Sequence, residues 1–162
     1  MEKEQINQLL DKQRQYFYSG ATLDLDFRIS ALKRLRASIR KHEHQIHAAL
    51  KKDLGKSNFE SYMCESGLVL SEITYMLKHI RSLSEEKTVH TPLAQFHSRS
   101  YRKPSPYGVT LLMSPWNYPL LLSLDPLIDA IAAGNTVILK PSAFSPATTA
   151  VVKAILAECF DP

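Results

Sequence analysis

The sequence predicts an α/β fold: N-terminal helices, then the first strand-helix-strand-helix of a doubly wound parallel sheet that is left incomplete. Two observations carry that reading. From Ile6 to Leu83 apolar residues recur at three- and four-residue steps, the spacing that gathers them on one face of a helix. Beyond Gly108 the pattern changes to two short apolar runs, Val109–Met113 and 136–139, bounded by Gly and Pro and each followed by a helical stretch. Such runs read as strands buried on both faces of a parallel sheet. Strand, helix, strand, helix implies right-handed crossovers. Two strands and one further helix cannot cover both faces and both edges, since about three strands are needed for independent stability. The sequence therefore reads as the N-terminal part of a larger protein.

Each element has a local cause. Ile6, Leu9, Leu10, Gln13 and Phe17 mark a first helix, and Gly20 is placed to end it through a left-handed cap. A second helix is expected over 26–54, with Asp24 or Asp26 as N-cap and Gly55 as its stop. A third is expected over 60–83, with an apolar stripe that starts at Tyr62, Met63 and Ser66 and runs through Val69, Ile73 and Ile80. Cys64 lies beside that stripe as a packing residue. Residues 84–94 read as a polar connector, 96–103 as a weak strand, and Pro104-Ser105-Pro106 as a turn whose prolines bar a helix. A helix over 120–133, capped by Gly134, joins the two buried strands. Ser145 and Pro146 open the last helix as N-cap and first residue.

Composition excludes several classes. With 162 residues, 44% hydrophobic and 22% charged, the chain is neither disordered nor fibrous. No apolar run approaches the ~20 residues that span a bilayer, and no signal-peptide core follows Met1, so an intracellular, cytoplasmic protein is expected. Cys64 and Cys159 form no CxxC, and His42, His44 and His47 lack the pairing of a metal site, so no metal is expected. Between Arg28 and Lys52 eight Lys or Arg stand against the one acid Glu43, a local excess larger than the net charge of +4. A basic helix face can meet phosphate or an anionic surface. A solvated charged face is the commoner outcome, and the aromatic residues of a nucleic-acid platform are missing, so no nucleic-acid partner is expected.

In open parallel sheets ligands bind at the carboxyl ends of the strands. The segments there are Ser114-Pro115-Trp116-Asn117-Tyr118-Pro119 and Lys140-Pro141-Ser142, which face one crevice if the two strands are neighbours. Neither GxGxxG nor GxxxxGK[ST] is present to cradle phosphates.

The runs Pro106-Tyr107-Gly108-Val109, Pro115-Trp116-Asn117-Tyr118-Pro119 and Ala130-Ile131-Ala132-Ala133-Gly134-Asn135-Thr136-Val137-Ile138-Leu139-Lys140-Pro141-Ser142 together resemble the NAD(P)-dependent aldehyde dehydrogenase superfamily. Phe27-Arg28, Asp53-Leu54-Gly55-Lys56-Ser57 and Glu72-Ile73 with Tyr75-Met76 agree. Tyr118, and a start directly in a helix, resemble the class 3 branch that acts on fatty and aromatic aldehydes. The similarity runs over about residues 6–160 and corresponds to the first third or so of a family member.

That resemblance implies an oxidoreductase in which a cysteine thiolate attacks the aldehyde, a thiohemiacetal oxyanion forms, hydride passes to NAD or NADP, and water activated by a glutamate releases the acid. It implies Asn117 as the catalytic oxyanion-hole amide, Lys140 at the adenosine ribose, and Ser114, Pro115, Trp116 and Ser142 along the cofactor. Where the family usually has Glu after Lys-Pro-Ser, this chain has Ala143. Without that carboxylate neither a 2′-hydroxyl acceptor nor repulsion of a 2′-phosphate is present, and both cofactors stay open. Neither Cys64 nor Cys159 matches the nucleophile motif, so the catalytic cysteine and glutamate are expected outside these residues and the chain alone is expected to be inactive. The organisation implied is a helical segment over 1–88, a connector with a candidate oligomerisation strand over 89–107, and the truncated start of a Rossmann-like NAD(P)-binding domain over 108–162. The implied partners are an aldehyde and, in the complete enzyme, a second copy in a homodimer. The alternative is a non-catalytic truncated remnant or interaction module.

Overall fold

Helix α1 (Lys3–Tyr18) ends as expected in a computed structural model that describes residues 3–160, with Gly20 left-handed at φ 78° and a 3₁₀ turn over Ala21–Leu23. Asp24 caps α2 (Leu25–Lys41), its carboxylate accepting from the amides of Asp26 and Phe27 at 3.3 and 3.0 Å. The single helix expected over 26–54 is two. His42 leaves helical geometry at φ −94° and ψ 9°, its ring Nδ1 lies 2.9 Å from the Ser38 carbonyl, and α3 (Glu43–Leu54) starts from it. Across this break Leu32, Leu35 and Ile39 of α2 are buried in one core with Ile46 and Leu50 of α3. Gly55, at φ 71°, stops α3.

Ser57 caps the next helical run, accepting from the Glu60 amide at 3.1 Å. The run passes through α4 (Asn58–Ser61), a π-helical turn (Tyr62–Ser66) and α5 (Gly67–Ser84). A π turn inserts a residue and shifts the phase of everything before it. Tyr62 and Met63, expected in the core, are therefore 47% and 53% exposed, and Glu65 takes a fully buried place.

Residues 84–94 are more than a connector. β1 (Lys87–Val89) pairs antiparallel with β2 (Ser100–Arg102), the strand expected within 96–103. Nearly all its side chains are exposed, so no apolar alternation marks β1 in the sequence.

β3 (Val109–Met113) and β4 (Thr136–Lys140) pair in parallel across α6 (Leu121–Ala132), and α7 (Pro146–Cys159) follows, in the order the sequence implies. Full burial of both strands is not found. Leu112, Val137 and Leu139 pack on the core, but on the opposite face α1 covers only the strand beginnings, where Thr136 Oγ1 donates to the Gln13 carbonyl. Leu111 and Met113 lie beyond it, 60% and 72% exposed. Gly134 links α6 to β4 at φ 89°, and a Cβ there would sit 3.0 Å from the Thr22 carbonyl. The Ser145 side chain does not cap α7. Asp53, at the end of α3, does so from across the fold, accepting from the amides of Ala147 (3.2 Å) and Thr148 (2.7 Å) and from Thr148 Oγ1 (2.8 Å). A carboxylate satisfies several orphan donors there and meets the positive end of the helix dipole, which a serine hydroxyl does less well.

One core joins Leu32, Leu35 and Ile73 of the helical part to Leu124 and Ile128 of α6 and Ile155 of α7. Part of the basic face of α2 is used in the same packing. Arg28 donates to the carbonyls of Ala132 (2.9 Å) and Leu23 (2.7 Å), Arg34 to that of Cys159 (3.3 Å), and Lys41 pairs with Glu158 at 2.7 Å. No helix of the described residues is long and apolar enough to cross a membrane.

Where α5 meets α6, desolvation and then the charges of Asp129 and Asp125 hold the Glu72 carboxyl above its ordinary range, and burial raises Asp125 and Asp129 as well. An acid raised by folding adds stability as pH falls through its folded-state value and withholds it above that value. Glu72→Gln is accordingly expected to raise the Tm at about pH 7, with the gain shrinking towards about pH 4. A melting series over that window checks this, and a gain that does not depend on pH would remove the electrostatic cause.

Candidate functional site

The carboxyl ends of β3 and β4 bring the two expected segments side by side. Met113 is paired with Lys140, and the Ser114 amide donates to the Lys140 carbonyl at 3.2 Å. Ser114 is buried, and its hydroxyl lies 2.7 Å from Ser123 Oγ, which donates to the Pro119 carbonyl at 2.6 Å. Both ends of the 114–119 loop are thus fastened to β4 and to the first turns of α6, whereas Pro115, Trp116 and Asn117 between them are exposed.

The middle of that loop is held from below. Lys56 Nζ donates to the Asn117 carbonyl at 3.2 Å, lies 4.2 Å from the centre of the Tyr118 ring, and pairs with Glu65 Oε1 at 2.5 Å. Glu65 Oε2 accepts from the amides of Leu120 (2.8 Å) and Leu121 (3.2 Å), capping α6. Lys56 is 7% exposed and Glu65 fully buried. The Asn117 main chain is tied down while its side-chain amide faces solvent and has no hydrogen-bond partner among the described residues.

Lys140 is exposed on the same sheet end, and none of the described residues pairs with its amine. Ser142 is buried instead. Its hydroxyl accepts from the Phe144 amide at 3.2 Å, and its carbonyl accepts from Thr149 Oγ1 at 3.3 Å, so the side chain shapes the turn into α7. Ala143 is exposed beside it. Cys64 lies in the π turn and Cys159 near the end of α7, where burial pushes its thiol up. A thiol raised by burial is a poor nucleophile, which fits Cys159 as a packing residue.

Sequence reasoning found the strand-end residues and missed Lys56 and Glu65. One signal was available: Glu65 stands three residues after Tyr62 and four before Val69, a carboxylate at the spacing of an apolar stripe.

Residues 1–162 match the model of the aldehyde dehydrogenase family. The chain belongs to that family. This aldehyde dehydrogenase chain is 41% identical over 156 residues to the 4,4'-diaponeurosporen-aldehyde dehydrogenase of Staphylococcus aureus, covering 96% of this chain and 34% of that protein. It is 38% identical to aldehyde dehydrogenase family 3 member H1 of Arabidopsis thaliana, over 98% of this chain and 33% of the relative. Family 3 relatives agree with the class 3 resemblance carried by Tyr118. Among solved structures, the substrate-bound Staphylococcus aureus AldH superposes with a TM-score of 0.94 at 41% identity, over 96% of this chain and 34% of that one. GapN of Methanocaldococcus jannaschii, complexed with NADP, superposes at 0.83 with 19% identity, over 98% of this chain and 34% of that one, a likeness of fold. The chain spans about a third of the length of the curated relatives it matches.

Proposed function

We propose that this chain is part of an NAD(P)-dependent aldehyde dehydrogenase that oxidises fatty or aromatic aldehydes to carboxylic acids, with Asn117 as its oxyanion donor. The observation that carries this reading is the exposed, unpaired Asn117 amide on a loop whose main chain is fixed at both ends and in the middle. A cysteine thiolate from outside these residues adds to the aldehyde carbon, the carbonyl π pair moves onto oxygen, and Asn117 donates an N–H to the resulting charge. A neutral amide stabilises that charge with no proton of its own to lose. Donors in comparable sites supply roughly 2.7–4 kcal/mol.

The exposed, unpaired Lys140 amine suits the hydroxyls of an adenosine ribose, and the backbone of Ser114, Pro115 and Trp116 forms the strip beside it. Ser142 is buried, its hydroxyl accepts from the Phe144 amide, and it serves the site through the turn it shapes. With Ala143 in place of a carboxylate, both NAD and NADP suit the position. When bound, the nicotinamide supplies the hydride acceptor. In the same reading, residues 1–88 are the helical segment, 89–107 carry β2 towards an oligomerisation sheet in a cytoplasmic homodimer, and 108–162 begin the cofactor domain. The exposed β1–β2 ribbon, with free edges that another strand can meet, supports that assembly.

The test compares this chain alone with the chain fused to the remaining two thirds of its Staphylococcus aureus relative. The fusion is expected to form NAD(P)H with an aldehyde and the chain alone to form none. In the fusion, Lys140→Ala should weaken dinucleotide binding and change the rate at saturation little. Turnover by the lone chain that survives Cys64→Ser and Cys159→Ser, or unchanged dinucleotide affinity after Lys140→Ala, would defeat the assignment.

A further inference from the structure

We propose that the buried Lys56–Glu65 pair is a positioning device that aims the Asn117 amide and so sets the rate of aldehyde addition without touching substrate. It rests on the reading of Asn117 as oxyanion donor. The loop is anchored at Ser114 and Pro119 and through the Tyr118 carbonyl, which accepts from the Leu122 amide at 2.9 Å, and among the described residues the Lys56 bond to the Asn117 carbonyl is the one hydrogen bond that ties down residues 115–117. The ring of Tyr118 lies against the same ammonium. Glu65 uses one carboxylate oxygen to hold Lys56 and the other to fix the amides of Leu120 and Leu121, so loop and helix start are held by a single residue pair.

Burying two charges is costly, and an apolar pair of the same volume is often at least as stable. An apolar pair, however, has no donor for the Asn117 carbonyl and no acceptor for the α6 amides. The π turn points the same way. It leaves Tyr62 and Met63 in solvent while Glu65, four residues before Val69 on the stripe, stays fully buried. An oxyanion donor acts only at hydrogen-bond distance from the charge, and a misplacement of about 1 Å costs up to about 10²-fold in rate.

The test uses the fused enzyme. Lys56→Met combined with Glu65→Gln removes both charges and keeps an amide oxygen that can accept from Leu120 and Leu121. Lys56→Arg restores a cation, and Asn117→Ala is the reference. The double variant is expected to slow the pre-steady-state NAD(P)H burst by about ten- to a hundredfold, with aldehyde KM and dinucleotide Kd within about threefold of the parent. Lys56→Arg should recover most of the rate. Adding Asn117→Ala to the double variant should cost much less than it does in the parent. In the 162-residue chain, acrylamide quenching of Trp116, its one tryptophan, should increase in the double variant and return towards the parent in Lys56→Arg.

A double-variant burst within about threefold of the parent, beside a slow Asn117→Ala, overturns the positioning role and leaves the oxyanion reading standing. A fast Asn117→Ala overturns both. If the double variant does not fold, Lys56→Gln carries the same comparison, since its amide cannot reach Glu65, Asn117 and Tyr118 together, and a parent-like burst again overturns the role.

Discussion

In the fused enzyme, Asn117→Ala is expected to slow the NAD(P)H burst by about 10²–10³-fold and to leave dinucleotide affinity unchanged. The structure makes this substitution unusually clean. Among the described residues the loop is tied at Asn117 through its carbonyl and elsewhere at Ser114, Tyr118 and Pro119, so shortening the Asn117 side chain removes the amide and none of these fastenings. The side chain is exposed and opens no cavity. The donor matters most once the carbonyl oxygen carries charge, so the loss falls on the chemical step. The burst isolates that step better than steady-state turnover, which hydride transfer or acyl-enzyme hydrolysis can limit. A burst within about threefold of the parent, with acylation shown to limit it, would make Asn117 a surface residue of the loop.

What could be read from the sequence was what depends on near neighbours. Gly20, Asp24 and Gly55 bound their helices as expected because a cap acts within a few residues of itself. The crevice segments were legible because Gly and Pro bracket the strands, and a parallel pair puts its ends together. What failed depends on distant parts of the chain. The α7 cap belongs to Asp53, more than ninety residues from the amides it serves, so Ser145 was the natural but mistaken choice. The π turn broke the helical phase at Tyr62 and Met63, and no local propensity announces one inserted residue. β1 escaped notice because both members of its ribbon stay in solvent. Leu111 and Met113 look like buried-strand residues because their run is apolar throughout, yet α1 reaches only the beginnings of the strands. Lys56 and Glu65 show the same limit at the site, since their partners lie in a loop more than fifty residues away.

Lys56→Met alone is expected to destabilise the chain by about 3–5 kcal/mol, the range found when one partner of a buried ion pair is removed. Glu65 is fully enclosed, and among the described residues its Oε1 accepts from the Lys56 ammonium alone, so the substitution leaves half a carboxylate unpaired where no solvent reaches it. The Asn117 carbonyl loses its donor and the Tyr118 ring its cation in the same change. Adding Glu65→Gln removes the stranded charge while keeping an acceptor for the α6 amides, so the double variant should recover most of the loss. Denaturant unfolding of the three proteins measures this directly, provided their m-values agree and the transition is two-state. The contrast between the two variants separates charge from packing. If lost side-chain volume were the cause, neutralising Glu65 could not restore stability, because the space once filled by the Lys56 ammonium would be unchanged. A single-variant loss below about 1 kcal/mol, the range of an exposed ion pair, would mean that water reaches Glu65 and that the pair is not the buried anchor its geometry describes.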